Sequence, residues 1–197
     1  MRKLKLQMQI TLDGFVAGPN GENDWVFASG KGDAAALQQV VRSGVELAAG
    51  CDTILLGRKL GAAGFLGYWA DVAKNQPENP WYSFAQLMVS HRKIAFSRSE
   101  TRLPDPSVEV ENGDLATTVE ALKNQSGKDI IVYGGADFVS SLIGLNLIDE
   151  YYLIVSPVAI GSGLSIFKER KVLELESSFA FKHGKILNKY VPVVVGS

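Results

Sequence analysis

Apolar residues alternate with polar or basic ones at Leu4, Leu6, Met8, Ile10 and Leu12, a period of two that predicts a strand with one covered face. Further on the pattern changes to short apolar, β-branched runs at Thr53–Leu56, Lys93–Phe96 and Asp129–Tyr133, which predict strands buried on both faces. Helical spacing appears between them. Leu37, Val41, Val45 and Ala48 define one face of a helix over 34–49, with Asp33 placed to cap it and Gly50 to end it. Trp81, Phe84, Ala85 and Met88 mark a short helix, Asp114 suits the cap of one through Val119 and Leu122, and Phe138, Val139, Leu142 and Ile143 mark another. Val108–Val110 and Glu150–Val155 read as strands, and Val172–Phe181 and Ile186–Val195 as a closing antiparallel pair turning at His183-Gly184. Asn23–Gly32 reads as a loop carrying Trp25 and Phe27, and Leu60–Pro80 as the least regular region of the chain.

Strands separated by helical crossovers should run parallel, with their carboxyl ends on one rim. That rim would carry Gly57-Arg58, Ser97-Arg98 and Gly134-Gly135. A glycine pair at a strand-to-helix turn lets backbone approach a ligand and aims helix N-terminal amides at an anion, although a plain tight turn also suits two glycines. Ligands of open α/β sheets bind outside the carboxyl ends of the strands. The rim therefore predicts a seat for a phosphate-bearing ligand.

Composition narrows the classes. The 197 residues are 46% hydrophobic with a net charge of −1, which predicts a single domain with a sizeable core and gives no electrostatic argument for nucleic acid. Cys51 is the only cysteine, so a reducing compartment fits and no disulfide is expected. With two histidines, His91 and His183, the familiar zinc sets cannot be assembled. No apolar stretch reaches membrane-spanning length, so the expectation is a cytoplasmic protein with no membrane and no nucleic-acid partner.

Several motifs lead nowhere. Gly30-Lys31-Gly32-Asp33-Ala34-Ala35 fits a dinucleotide fingerprint, but no central strand precedes it. There is no Walker A sequence and no nucleophile elbow. Cys51 reads as a buried structural thiol, His91 as the solvated start of a strand, and His183 as an exposed turn residue.

Four blocks in order carry a family likeness: Thr11–Gly18, Ile54-Leu55-Leu56-Gly57-Arg58, Ile131-Val132-Tyr133-Gly134-Gly135-Ala136, and Leu147–Gly163. Together they make the whole chain, 1–197, resemble the dihydrofolate reductase-like superfamily, closest to the reductase domain of the riboflavin-biosynthesis deaminase–reductase. The resemblance implies a three-layer α/β fold: a mixed, mostly parallel central sheet flanked by helices, with antiparallel C-terminal strands. It also implies NADPH as hydride donor. Gly57 and Arg58, with Lys59 where a threonine often stands, would face the coenzyme phosphates. Ser97 and Arg98 would hold the adenosine 2′-phosphate, Gly134, Gly135 and Ala136 would cradle the pyrophosphate across a cis Gly134–Gly135 bond, and Ala17 would lie near the nicotinamide. Members of the family often form homodimers.

On the substrate side the candidates are Asp13, Phe15, Trp25, Phe27 and Asp33. Asp13 could orient a substrate hydroxyl or amine, or relay a proton, and equally could cap its own turn with Gly14. Asp33 is either a helix cap or the carboxylate that follows the tryptophan in folate-reducing relatives. The reading is an NADPH-dependent reductase of a small heterocyclic or carbonyl substrate. The competing class is a nucleotide-binding protein that keeps the fold without turnover.

Overall fold

The computed structural model describes residues 1–27, 34–62 and 64–193. An eight-stranded sheet runs through them, built from β1 (Leu4–Thr11), β2 (Cys51–Gly57), β3 (Arg92–Phe96), β4 (Val108–Glu111), β5 (Asp129–Val132), β6 (Glu150–Ser156), β7 (Leu173–Ala180) and β8 (Ile186–Pro192). Their order is β4-β3-β2-β5-β1-β6-β8-β7. Every pairing from β4 through β6 is parallel, and β8 joins β6 and β7 antiparallel. The expected three-layer α/β architecture is present.

Two apolar clusters glue the layers. On one face Leu4, Leu6, Leu55 and Val132 pack with Val119 of α5 (Leu115–Lys123) and Val139 and Leu142 of α6 (Ala136–Gly144). On the other, Ile54, Leu56, Ala95 and Ile131 pack with Ala48 of α1 (Ala34–Ala49), Leu66 of α3 (Phe65–Asn75), and Phe84 and Met88 of α4 (Tyr82–Ser90). Each such aliphatic side chain contributes about 1.5–3 kcal/mol by leaving water, so the alternation along β1 and the apolar runs of β2 and β5 dictate which way each strand faces. At the amino ends of the strands, ion pairs Arg2–Asp52, Lys5–Asp129 and Lys3–Glu150 hold the opposite rim.

Four sequence expectations change. The region 60–80 contains α2 (Arg58–Ala62) and α3, because Leu66, Phe65 and Trp69 reach the aromatic cluster under α4 despite the glycines around them. The buried stripe of α1 is Val40, Gly44 and Ala48, and Leu37 is exposed. Pattern reading skips Gly44, yet it is where α4 approaches: a Cβ there would lie 3.4 Å from Trp81 and 3.7 Å from Phe84. His91 is buried, not solvated, with Nε2 at 2.9 Å from the Ala48 carbonyl oxygen, so the end of α4 is tied to the end of α1. His183 is half-buried against Phe181. Cys51 is sealed as expected, and burial pushes its thiol up to about 11. Asp33 and the Gly30–Gly32 fingerprint lie outside the described residues. No described helix is long and apolar enough to cross a membrane.

β2 and α6 approach so closely that a Cβ at Gly57 would stand 2.7 Å from Phe138 Cβ. Gly57→Ala should therefore destabilise the protein by about 1–3 kcal/mol in urea unfolding; a loss under about 0.5 kcal/mol, ordinary for a neutral surface change, would contradict that approach. Lys185 gives a second expectation. It is buried, donates from Nζ to Gln9 Oε1 at 2.7 Å and to the Val26 carbonyl at 2.6 Å, and has no carboxylate partner among the described residues. Burial lowers its pKa to about 8 from 10.5, so between those values the unfolded chain binds more protons and folding stability rises with pH. The difference in unfolding free energy between wild type and Lys185→Met should climb from pH 8 to 10.5 and stay level below it; a flat difference throughout would contradict the buried-cation account.

Candidate functional site

A cleft of about 1230 Å³ opens over the carboxyl ends of the parallel strands. Walking along the sheet order, its wall is built by the turn after β4 (Glu111 to Leu115), the turn after β3 (Ser97, Arg98), the start of α2 after β2, the Gly134-Gly135 turn after β5, and finally Val16, Ala17 and Leu164 beyond β1. An isolated antiparallel bridge between Ala17 and Leu164 closes that last side.

The middle of the cleft is made of backbone. The Gly134–Gly135 bond is cis, and Gly134 has φ of 144°, a region that favours glycine. A Cβ on Gly135 would meet nothing, so the backbone there lies open to a ligand. Gly135 caps α6 without offering a side chain, which leaves the first amides of that helix free for an anion. The neighbouring α5 behaves differently: Asp114 accepts from Thr117 N at 2.9 Å and occupies its own helix end.

Charge is concentrated toward β3. Arg58 meets Glu100 at 3.1 Å, while Arg98 is exposed and makes no ion pair among the described residues. Two carboxylates on this side are already engaged, Glu111 by Gly113 N at 3.0 Å and Asp114 by Thr117, whereas Asp137 in the first turn of α6 makes no ion pair among the described residues. Ser97 Oγ accepts from Glu100 N at 2.9 Å, and Asn112 Nδ2 donates to the Ser97 and Glu100 carbonyls, which fixes the turn that presents Arg98. Phe96 and Phe138 stack at 5.4 Å beneath it.

Ala17, Gly57, Arg58, Lys59, Ser97, Arg98, Gly134, Gly135 and Ala136, the residues expected to hold a coenzyme, all line this one cleft. The described substrate-side candidates, Asp13, Phe15 and Trp25, do not line it. Asp13 accepts from Thr11 Oγ1 at 2.6 Å and from the backbone amides of Ile160 and Gly161 at 3.0 and 2.7 Å. Those bonds hold its carboxyl below the usual range and tie the turn after β1 to the loop before Leu164. Asp13 thus clamps two loops together and does not itself line the cleft. Phe15 and Trp25 do not line the cleft either, and Trp25 is buried in a 3-10 turn, Asp24–Phe27. The Phe27 side chain and Asp33 lie outside the described residues. Sequence reading missed Met8, Leu60, Phe65, Tyr133 and Leu164. Tyr133 stood beside the glycine pair, a signal that could have found it; Phe65 needed the unforeseen α3.

Comparison with known proteins agrees with this fold. Over 190 residues the chain is 32% identical to the uncharacterized protein YyaP of Bacillus subtilis, covering 94% of this chain and 92% of that one. Among solved structures, a Shewanella sp. PV-4 protein ascribed to riboflavin biosynthesis superposes with a TM-score of 0.67 at 18% identity, covering 97% of this chain and 99% of the other. The diaminohydroxyphosphoribosylaminopyrimidine deaminase/5-amino-6-(5-phosphoribosylamino)uracil reductase of Thermotoga maritima gives 0.60 at 18% identity, with 98% of this chain matched to 57% of its length. A family model described as the RibD C-terminal domain matches residues 2–187, and the chain belongs to that family.

Proposed function

We propose that this protein is an NADPH-dependent reductase of a small heterocyclic or carbonyl substrate, acting in the cytoplasm. The observation that carries the reading is the convergence of the open Gly134-Gly135 backbone, the uncapped start of α6 and the unpaired Arg98 on one cleft. Membership of the RibD C-terminal domain family supports it, as does the reductase named in the Thermotoga homologue of this fold.

When bound, a reduced nicotinamide supplies the hydride. This chain's residues bind and orient. The Gly134-Gly135 backbone and the α6 amides suit a pyrophosphate, since backbone donors at a helix start favour negative charge. Arg98 and the Ser97 hydroxyl suit a terminal phosphate, because Glu111 and Asp114 beside them already have partners and leave the Arg98 guanidinium free. Ala17, at the far end of the cleft, is left for the ring end of the coenzyme. The apolar wall of Met8, Val16, Leu60 and Leu164 keeps water from that end.

We also propose a homodimer through the edge strand β7, where Leu175 and Phe179 are 53% and 50% exposed. Unpaired edges bearing large apolar side chains seek a partner strand. Sedimentation should find a dimer that Phe179→Asp dissociates; a wild-type monomer at micromolar concentration would overturn this.

NADPH binding, followed by coenzyme fluorescence and by the rise in melting temperature, tests the main reading. Arg98→Ala should weaken NADPH by about 10- to 100-fold, the range for a charged hydrogen-bonded contact, and NADH by no more than about threefold. Equal losses would sink the phosphate role. Oxidation of NADPH across pterins, ribosylaminopyrimidines and simple carbonyls separates a reductase from a nucleotide-binding protein without turnover.

A further inference from the structure

Charge within the cleft is balanced, not simply basic. Arg58, Lys59 and Arg98 line it, and so do Glu111, Asp114 and Asp137, so the formal charges of its described lining residues cancel. Affinity for an anion must then depend on which groups stand free where the anion lands. Of the three lining cations only Arg58 is ion-paired among the described residues. Its Nη1 lies 3.1 Å from Glu100 Oε1, and the two side chains are 42% and 41% exposed.

Glu100 is fixed in place by the turn that presents Ser97 and Arg98. Its N–H donates to Ser97 Oγ at 2.9 Å, and its carbonyl accepts from Asn112 Nδ2 at 2.9 Å. The Ser99 amide also reaches Ser97 Oγ, at 3.3 Å. With two amides donating to that oxygen, the Ser97 hydroxyl hydrogen is left to be donated, which suits an anion. The Glu100 carboxylate, by contrast, is under-satisfied. Oε1 accepts from Arg58, whereas Oε2 is sealed from solvent and makes no hydrogen bond. An ionised carboxylate can accept about four hydrogen bonds, so a single donor leaves much of its charge uncompensated. An anion drawn to Ser97 and Arg98 feels that charge across the same turn.

We infer that Glu100 sets how strongly this protein prefers a 2′-phosphorylated coenzyme. Its carboxylate keeps hold of Arg58 and opposes a further negative charge beside Ser97 and Arg98, so the phosphate binds less tightly than the cations alone would give. This rests on the coenzyme reading for which phosphate reaches the turn. A half-exposed ion pair is weak, so Arg58 stays available to the cleft and the pair contributes little to the fold. Its sign is what matters to a ligand. A phosphate dianion gains from Arg98 and loses to Glu100, while the uncharged 2′-hydroxyl of NADH is nearly indifferent to both. Attraction and repulsion are thus set against each other within one turn, and discrimination between coenzymes follows from their difference.

The experiment titrates NADPH, NADH and adenosine 2′,5′-bisphosphate calorimetrically into the full-length protein and its Glu100→Gln and Glu100→Asp variants. Glu100→Gln keeps the shape and an acceptor for Arg58 but removes the charge. It should tighten NADPH and the bisphosphate by about three- to tenfold, the scale of one charge acting on a nearby dianion near the surface, and NADH by no more than about twofold. Glu100→Asp keeps the charge and should stay close to wild type, and the ligand-free melting temperatures should stay level. At about 1 M salt, where the screening length falls to about 3 Å, the gain in Glu100→Gln should largely vanish; a merely structural role would not respond to salt in this way. Unaltered or weaker NADPH binding in Glu100→Gln, an equal gain for NADH, or a gain that survives high salt overturns the inference while leaving the coenzyme reading intact. If neither nicotinamide coenzyme binds but the bisphosphate still tightens in Glu100→Gln, the coenzyme reading fails and the role of Glu100 stands.

Discussion

Parallel pairing is the constraint through which sequence becomes site in this protein. β4, β3, β2, β5, β1 and β6 run the same way, so each crossover must climb one face of the sheet and begin again at the same amino-terminal rim. The turns after the strands then have only one place to go. Glycines, a serine and arginines scattered over 80 positions of sequence, from Gly57 to Ala136, come to share one cleft. Reversing one central strand would send its turn to the opposite rim, where Arg2–Asp52, Lys5–Asp129 and Lys3–Glu150 already lock the sheet by ion pairs.

Within that frame the two ends of the cleft have different physics. Toward β3 and β4 the walls offer charge: a free guanidinium at Arg98, a paired one at Arg58, and carboxylates quieted by their own turns. In the middle the walls offer backbone alone, because Gly57 lets α6 come close and Gly135 leaves its end bare. Toward β1 the walls are mainly apolar, Met8, Val16 and Leu164, with Asn20 and Asn23 beside them. A long ligand with anionic and flat aromatic parts matches that gradient better than a compact one. Asp13, which looks catalytic on the linear chain, serves the gradient by fastening the loop of Ile160 and Gly161 that carries the apolar end.

How much of this was legible depended on whether the signal was local. The strands announced themselves because alternation and apolar runs have periods that a single segment displays, and the positions beside Gly-Arg, Ser-Arg and Gly-Gly followed from where strands stop. The α1 stripe was displaced because the decisive residue, Gly44, has no side chain to count, and its importance lies in Trp81 and Phe84 arriving from another helix. His91 looked solvated beside Arg92 and Lys93, yet its ring is buried against a carbonyl 43 residues earlier. α3 was hidden by its glycines, since its stability comes from Leu66 and Trp69 packing on distant rings more than from helix propensity.

By itself the sequence determined the order of the strands, the parallel frame and the backbone-rich rim, because each depends on residue types within one turn or one strand. The tertiary structure alone decided which side chains face the ligand. Asp13, Phe15 and Trp25 are near the cleft in sequence but do not line it, Asp13 being engaged by Thr11 and the Ile160 and Gly161 amides and Trp25 being buried, while Met8, Phe65, Tyr133 and Leu164 reach it from β1, α3, the end of β5 and the loop after β6. The reason is that a strand's register tells which face a residue takes, but the open space beyond that face is defined by whatever elements pack there, and those contacts are made across the whole chain.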